Sequence, residues 1–231
     1  MIIIRLFSIL LLILSVTACF LAPTAHNFDT SAFLKSQLNK DKSTQIILVV
    51  DNSSFLFTRT TLYAMEKHVD NWQMAFEPLD AVIGRNGFAP VGEKREGDGK
   101  TPSGIYPLKM TFGYDATMGT KMPYRQSLAD DLWVDDPQAD DYNRWVKKQE
   151  TRASSYEIMK RNDNLYKYGV IIEYNTDPVI KGNGSAIFLH IWKCDGIPTA
   201  GCVAVSEEDI IKILGWLDPV ASPLIIMGIE N

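Results

Sequence analysis

Two side chains in the C-terminal third of the 231-residue chain have the types needed for covalent catalysis. His190 and Cys202 lie on either side of a loop that contains Gly196 and Pro198. A thiol becomes a strong nucleophile only when it is ionised, so a catalytic cysteine needs a neighbouring base or cation. A loop with glycine and proline can fold back and bring the two side chains together. The pair predicts Cys202 as nucleophile and His190 as its base, although two buried structural side chains would show the same spacing.

The residues around this pair extend the prediction. Gly201, directly before Cys202, would let the backbone approach a substrate carbonyl, and the amides there could form an oxyanion hole. Trp192 falls on the predicted face of His190, where it either walls a pocket or belongs to the core. Cys194 either joins Cys202 in a disulfide or redox couple, or is a free loop thiol.

The elements that must position these side chains are predicted from the same part of the chain. Residues 185–192 (SAIFLHIW) alternate as a strand does, with Ala186, Phe188, His190 and Trp192 on one face. Two further apolar runs, at residues 168–174 and 224–229, predict buried strands.

A helix is predicted over residues 206–217. Ser206 is a suitable N-cap with Asp209 three residues later, and Glu207 and Glu208 suit the positive end of the helix dipole. Pro219 would end the helix. Its apolar stripe consists of Ile210, Ile213, Leu214 and Leu217.

The rest of the chain gives weaker patterns. Strands are predicted at residues 45–50, 58–67 and 72–84, with a charged, glycine-rich loop over residues 85–100. Residues 107–164 show few clear periods, although residues 140–159 have a composition compatible with a helix. The whole pattern predicts a mainly β domain, a sandwich-like mixed sheet with one or two packed helices.

The N-terminus has the pattern of an export signal. Arg5 precedes an apolar run over residues 6–16, and the sequence VTAC, ending at Cys19, resembles a bacterial lipobox. An uncleaved anchor and ordinary cleavage are the alternatives, since residues 6–25 carry no charge. We expect residues 1–25 to be the signal, residues 26–44 a spacer and residues 45–231 the catalytic domain, outside the cytoplasm.

Composition argues against several other classes. The net charge of −5 and the absence of basic blocks argue against a nucleic-acid partner. The three dispersed histidines, His26, His68 and His190, make a histidine-rich metal site improbable, and we expect no metal or cofactor. Three pairs of aspartates, at residues 130–131, 135–136 and 140–141, either attract a cationic amine, bind calcium or form a solvated acidic loop.

Two motifs resemble the L,D-transpeptidase catalytic-domain (YkuD-like) family. The sequence SAIFLHIW followed by PTAGCVAVS resembles its active-site region, in which a strand histidine precedes a Ser/Thr-x-Gly-Cys motif. Upstream, GDGKTPSG at residues 97–104 resembles its G-x-x-TP-x-G signature. The resemblance covers residues 45–229. It implies a β-sandwich-like mixed fold and an enzyme, insensitive to penicillin, that remakes peptidoglycan stem-peptide bonds.

By this resemblance Cys202 matches the family nucleophile and His190 its proton acceptor, while Thr199 and Gly201 match the Ser/Thr and Gly of the motif. Ala200 stands where most members have histidine, which implies a divergent branch with the motif T-A-G-C.

A second departure follows Cys202, because residues 203–205 lack the arginine that members commonly carry there. Arg85, Arg95 and Arg125 are candidates to replace it as the cation for the donor carboxylate. The third member of a catalytic triad is undetermined, and a backbone carbonyl could orient His190. Arg85, Thr199 and Trp192 are our predicted substrate contacts.

The resemblance implies that the enzyme acts on peptidoglycan stem peptides in the periplasm, attached to the membrane through lipidated Cys19 or an anchor. Cys202 would form a thioester with residue three of a tetrapeptide stem, release D-alanine and pass the acyl group to an amine. With water as acceptor the protein would be an L,D-carboxypeptidase. A non-catalytic, wall-binding lipoprotein is the alternative from another class.

Overall fold

The computed structural model describes residues 42–53, 60–69 and 71–230. The predicted signal, its lipobox residue Cys19 and most of the spacer therefore lie outside the described residues. Over the ranges described, no helix combines the length and the apolar content that crossing a bilayer requires.

The described chain is built around a ten-stranded mixed sheet. Its strands are β1 (Gln45–Asp51), β2 (Thr60–His68), β3 (Asn71–Met74), β4 (Leu79–Ala81), β7 (Gly104–Gly113), β8 (Tyr124–Gln126), β12 (Tyr168–Ile172), β13 (Phe188–Ile191), β14 (Val203–Val205) and β15 (Leu224–Glu230). Eight of them follow one another in the order β14-β13-β12-β7-β15-β1-β2-β3, with β4 paired to β2 and β8 to β7. Three of the pairs are parallel, β1 with β15, β13 with β14 and β7 with β8.

Two small sheets complete the β structure. Their strands are β5 (Phe88–Ala89), β6 (Thr101–Pro102), β9 (Asp131–Val134), β10 (Trp145–Lys147) and β11 (Tyr156–Ile158). One sheet has three antiparallel strands in the order β10-β9-β11, and the other pairs β5 with β6 in parallel. The predicted class, a mainly β domain with a mixed sheet, is confirmed.

The apolar run of β1 is buried on both faces. Ile47 and Val49 join the larger core, whereas Ile46, Leu48 and Val50 join a smaller core on the opposite face of the sheet. A strand covered on both sides has no solvent face, which explains why its sequence is continuously apolar rather than alternating.

The predicted helix is confirmed as α1 (Glu207–Trp216). Ser206 is its N-cap, and the Ser206 hydroxyl accepts a hydrogen bond of 3.0 Å from the Asp209 amide. Pro219 opens a short 3₁₀ turn after the helix has ended. The whole predicted stripe, Ile210, Ile213, Leu214 and Leu217, is buried against the larger core.

Two predictions for the middle of the chain are wrong. Residues 140–159 form no helix but contain β10 and β11, because pairing with β9 between them outweighs a weak helical composition. Residues 72–84 form two short strands, β3 and β4, rather than a longer one. Residues 107–164, which showed few periods, contain most of β7 and all of β8, whose pairing gives them their order.

Candidate active site

His190 is positioned by the parallel pair of β13 and β14. The register aligns Leu189 with Val203 and His190 with Ala204. Leu189 and Ile191 face the larger core, whereas Phe188 joins a third, aromatic cluster on the other face. The predicted alternation is therefore confirmed, and His190 shares the face of Phe188.

The His190 imidazole is buried and oriented by a backbone carbonyl. Its side chain is 6% exposed, and its Nδ1 lies 2.7 Å from the Ile191 carbonyl oxygen. A carbonyl only accepts, so neutral His190 carries its proton on Nδ1 and leaves Nε2 as a base. Burial lowers the pKa of His190 to about 4, which keeps the imidazole neutral at pH 7. The Tyr166 ring packs edge-to-face on it, with 5.1 Å between centroids.

Cys202 lies directly before β14 and belongs to the same aromatic cluster as Phe188. Its Sγ donates to the Ala186 carbonyl at 3.2 Å and accepts from the Phe188 amide at 3.4 Å. Burial raises the pKa of this thiol to about 12. In the described state Cys202 is thus a neutral thiol on the same face as His190. No hydrogen bond joins the two side chains within the described residues.

The turn before Cys202 is held by Thr199. The Thr199 amide donates to Ile83 O at 2.8 Å, and its carbonyl accepts from the Arg85 amide at 3.0 Å. Its hydroxyl donates to Cys202 O at 2.6 Å and accepts from the Gly201 amide at 3.1 Å. The Thr199 hydroxyl therefore makes both of these hydrogen bonds within the turn itself. Because the Gly201 amide is also occupied, the Cys202 amide is the stronger candidate for an oxyanion-hole donor.

The upstream TP signature lies directly beneath this turn. Thr101 is fully buried, and its hydroxyl donates to Gly201 O at 2.8 Å while accepting from the Gly84 amide at 2.9 Å. A Cβ on Gly201 would lie 2.9 Å from the Lys100 carbonyl oxygen, so only glycine fits at this crossing. The two motifs that are distant in sequence are thus parts of one hydrogen-bonded unit.

The side chains of two of the three predicted cations already have partners among the described residues. Arg125 forms a salt bridge of 3.2 Å with Asp131, and its guanidinium lies 4.1 Å from the centre of the Trp145 ring. Arg95 donates to the carbonyls of its own loop. Arg85 is exposed, and its contact with the substrate stays a prediction.

The remaining predicted residues are placed as follows. Trp192 is half-buried at the end of β13, and its amide donates to Val205 O at 2.8 Å. Cys194 is an exposed free thiol, so the disulfide with Cys202 is not formed. His68 is a surface residue, 3.6 Å from Glu66.

The aspartate pairs are largely neutralised by lysines or bound within the loop. Asp130 and Asp131 pair with Lys147, and Asp140 pairs with Lys181. Asp136 accepts from the Ser154 amide and hydroxyl. In the described ranges no three histidine, cysteine, aspartate or glutamate side chains are grouped to hold a metal ion.

Sequence reasoning missed a buried polar support behind the thiol. Asn143 Oδ1 accepts from the Ala186 amide at 3.1 Å and from Trp133 Nε1 at 2.7 Å. Its Nδ2 donates to the Tyr174 and Asn175 carbonyls. Asn143 thereby fixes Ala186, whose carbonyl accepts from Cys202.

A second missed group lies beside His190. Arg161 stacks on Tyr166, with 5.1 Å from its Cζ to the ring centre, and pairs with Glu157 and Asp163 at 3.1 and 2.6 Å. These residues are 24 or more positions from His190 in sequence, and no local pattern assigns them to its site.

Comparison with known proteins gives one matching family and two solved structures of low sequence identity. A search among curated proteins gives no significant match. The helical cell shape determining protein Pgp2 from Campylobacter jejuni is 16% identical with a TM-score of 0.44, over 83% of this chain and 49% of that one. Bd1075 from Bdellovibrio bacteriovorus is 19% identical with a TM-score of 0.42, over 81% of this chain and 49% of that one. This chain therefore spans about half the length of either structure.

The family comparison covers nearly all of the described structure. The profile of the L,D-transpeptidase catalytic domain (YkuD) matches residues 45–226, from β1 into β15. The matched region includes both motifs and the strands that hold His190 and Cys202. The chain belongs to the L,D-transpeptidase catalytic domain family.

Proposed function

We propose that the protein is a peptidoglycan L,D-transpeptidase that works through a thioester on Cys202. The observation that carries this proposal is the placement of Cys202 and His190 on one face of adjacent strands, with Nδ1 of His190 held by the Ile191 carbonyl. With Nδ1 held in this way, Nε2 is the ring nitrogen that would take the thiol proton. Membership of the family supplies the substrate, the peptidoglycan stem peptide.

The first half of the reaction forms the thioester. The Cys202 proton moves to His190 Nε2 as Sγ attacks the carbonyl carbon of residue three of a tetrapeptide stem. The bond from that carbon to the nitrogen of D-alanine then breaks, and His190 returns the proton to the leaving amine. In the second half an amine attacks the thioester, its proton passes through His190, and the Cys202 thiol is regenerated.

The resting site is not ionised. Because burial raises the pKa of the Cys202 thiol and lowers that of His190, proton transfer between them before substrate binds is unfavourable. We therefore expect the thiolate to form only as substrate binds and attack begins. Both residues are less than one-tenth exposed, which limits the access of bulk water to Cys202.

The test uses a disaccharide-tetrapeptide and mass spectrometry of the products. Wild-type protein should release D-alanine and form a dimer linked through residue three, whereas Cys202→Ala should do neither. Cys194→Ala is the matched control and should keep full activity, because Cys194 is exposed on the loop. Release of D-alanine without a dimer would make the protein a carboxypeptidase. If wild type and Cys202→Ala behave alike, the catalytic proposal fails and a wall-binding role replaces it.

We also propose that residues 1–25 direct export and that Cys19 carries a lipid. The VTAC sequence after an apolar run supports this proposal. Labelled palmitate should be incorporated into the full-length protein in cells but not into Cys19→Ala. If both proteins are labelled equally, Cys19 does not carry the lipid, and an uncleaved anchor or ordinary cleavage of the signal remains.

A further inference from the structure

Ala186 has a backbone conformation that alanine rarely adopts. Its φ is 52°, in the left-handed region, where the Cβ atom crowds the following carbonyl oxygen. Two residues with positive φ shortly before it, Gly182 and Gly184, are glycines and carry no such penalty. A left-handed residue other than glycine persists only where its surroundings hold it, and such residues cluster at functional sites. Ala186 is therefore held in place by its neighbours.

The carbonyl of Ala186 is the acceptor for the Cys202 thiol. The distance from Sγ to this oxygen is 3.2 Å, and Sγ also accepts from the Phe188 amide at 3.4 Å. A hydrogen bond that uses the thiol proton stabilises the neutral form and disfavours the thiolate. The proton must also leave this carbonyl before it can pass to Nε2 of His190. The position of one carbonyl group therefore sets the resting state of Cys202.

Polar side chains hold Ala186 and the residue before it. The amide of Ala186 donates to Asn143 Oδ1 at 3.1 Å. Directly before it, Ser185 is 7% exposed, and its hydroxyl donates to Glu96 Oε2 at 2.6 Å. The buried Tyr142 hydroxyl donates to the same carboxylate oxygen. Without the bond from Ser185 to Glu96, Ala186 is free to relax to a commoner conformation, which would move its carbonyl away from Sγ.

The glycine-rich loop that carries Glu96 is fastened to the residues before Ser185. The Glu96 amide donates to the Gly182 carbonyl at 2.9 Å. A Cβ on Gly184 would lie 3.0 Å from Lys94 Cγ, so the two segments pack in close contact there. The Lys94 side chain is only 4% exposed. The loop therefore presents the Glu96 carboxylate to Ser185 from a fixed position.

A purely structural role explains the conformation of Ala186 poorly. If this segment needed only to be fastened to the loop, a glycine at position 186 would avoid the left-handed penalty. A residue with negative φ would avoid it as well. The left-handed conformation does bring the carbonyl of Ala186 within hydrogen-bond distance of Cys202. The strain is therefore best explained by its effect on the thiol.

We propose that Glu96 and Ser185 are positioning residues that hold the Ala186 carbonyl on the Cys202 thiol and keep it protonated until a substrate binds. Catalysis begins when the thiol exchanges this carbonyl for Nε2 of His190. Because a thiol reacts with oxidants and alkylating reagents as its thiolate, the same contact protects Cys202 between turnovers. This inference rests on the proposed function, since it describes how that nucleophile is held at rest.

The test follows the alkylation of Cys202 in the full-length protein as the pH is raised. Iodoacetamide is the reagent, and mass spectrometry of the peptide that carries Cys202 gives the rate. In Ser185→Ala and in Glu96→Ala the carbonyl should leave the thiol. The pH profile of the rate should then move down by about one unit, which makes the reaction roughly tenfold faster at a fixed pH. If these profiles coincide with that of wild type, the proposal is wrong.

Two controls separate positioning from a general loosening of the fold. Ser185→Thr keeps the hydroxyl and should keep the wild-type profile. Ser154→Ala is the matched control, because the Ser154 hydroxyl also donates to a carboxylate at 2.6 Å, that of Asp136 on another loop. A faster reaction with an unchanged pH profile in Ser185→Ala would show better access only and would overturn the proposal. All of these variants retain the charged side chains that act on the pKa of the Cys202 thiol, which are Glu157, Lys94 and Arg161.

A double variant tests whether the conformation of Ala186 transmits the effect. Glycine enters the left-handed region without a penalty, so with Ala186→Gly the carbonyl should stay in place even without the Ser185 hydroxyl. The profile of Ser185→Ala should therefore return towards that of wild type when Ala186→Gly is added. If the double variant keeps the full shift, the proposal fails. Urea unfolding checks that each variant folds, and the double variant tests the proposal even if Glu96→Ala does not fold.

Alkylation needs no turnover, so the outcomes separate the two proposals. If wild type releases D-alanine from a tetrapeptide and the alkylation profiles coincide, the positioning role is refuted and the chemistry stands. If wild type releases nothing but the profile of Ser185→Ala shifts as expected, the chemistry is refuted and the hold on the Cys202 thiol stands.

Discussion

Substitution of Thr101 by valine tests whether the TP signature supports the catalytic turn. The Thr101 hydroxyl accepts from the Gly84 amide and donates to the Gly201 carbonyl, and all three residues are buried. Valine has nearly the same shape but no hydroxyl, so Thr101→Val leaves a buried N–H and a buried C=O without partners. Each orphaned group costs about 1–3 kcal/mol. We expect the free energy of unfolding to fall by about 2–6 kcal/mol for the two groups together.

Urea unfolding measures this loss, and Thr101→Ser is the matched control. Serine keeps the hydroxyl and loses one methyl group, which should cost about 1 kcal/mol. In Thr101→Val the turn that carries Gly201 and Cys202 should also loosen, so Cys202 should react faster with a small alkylating reagent. If the valine and serine variants unfold within about 0.5 kcal/mol of each other, the hydroxyl does not join the two motifs and the reasoning fails.

Two further predictions concern pH. Iodoacetamide at pH 7.5 should modify the exposed Cys194 before the buried Cys202. Because burial raises the pKa of Cys202 to about 12, its alkylation rate should still rise above pH 9. A plateau of that rate near pH 8.5 would contradict this. Burial also lowers the pKa of His190 from 6.5 to about 4, so between these values the unfolded chain binds a proton that the folded chain does not. The free energy of unfolding measured with urea should therefore fall by about 3 kcal/mol between pH 7 and pH 4 because of this group. In His190→Gln that part of the pH dependence should be absent. An unchanged pH dependence in the variant would count against the assignment.

The C-terminal third could be predicted because its signals are local. The alternation around His190, the N-cap at Ser206 and the apolar stripe of α1 each follow from neighbouring residues, and the structure confirms them. Both motifs were also recognisable as short segments. The hydrogen bond between Thr101 and Gly201 was not, since nothing local indicates which of two distant segments packs on the other.

The missed residues depend on tertiary pairing. β9, β10 and β11 have three or four residues each, too few for a period to outweigh the helical composition of residues 140–159. Glu157 and Arg161 lie beside Tyr166, which packs on His190, and the strand that carries Glu157 is brought there by the pairing of β11 with β9. Asn143 has a positive φ of 57°, a left-handed conformation that asparagine adopts more readily than most residues and that its buried hydrogen bonds hold in place.

The position of β15 has a consequence for how this domain folds. β15 lies between β1 and β7 and joins residues 45–68 to residues 104–113 as neighbouring strands, while Val82 bridges to Ala204 at the other side of the sheet. Until that last strand pairs, two partial sheets each present an open edge of unsatisfied backbone groups. Contacts of such large sequence separation form slowly, because loop closure must come before any gain from pairing. The emerging chain therefore needs protection from edge-to-edge association until β15 is in place, and loss of residues 224–230 would leave the facing edges of β1 and β7 open.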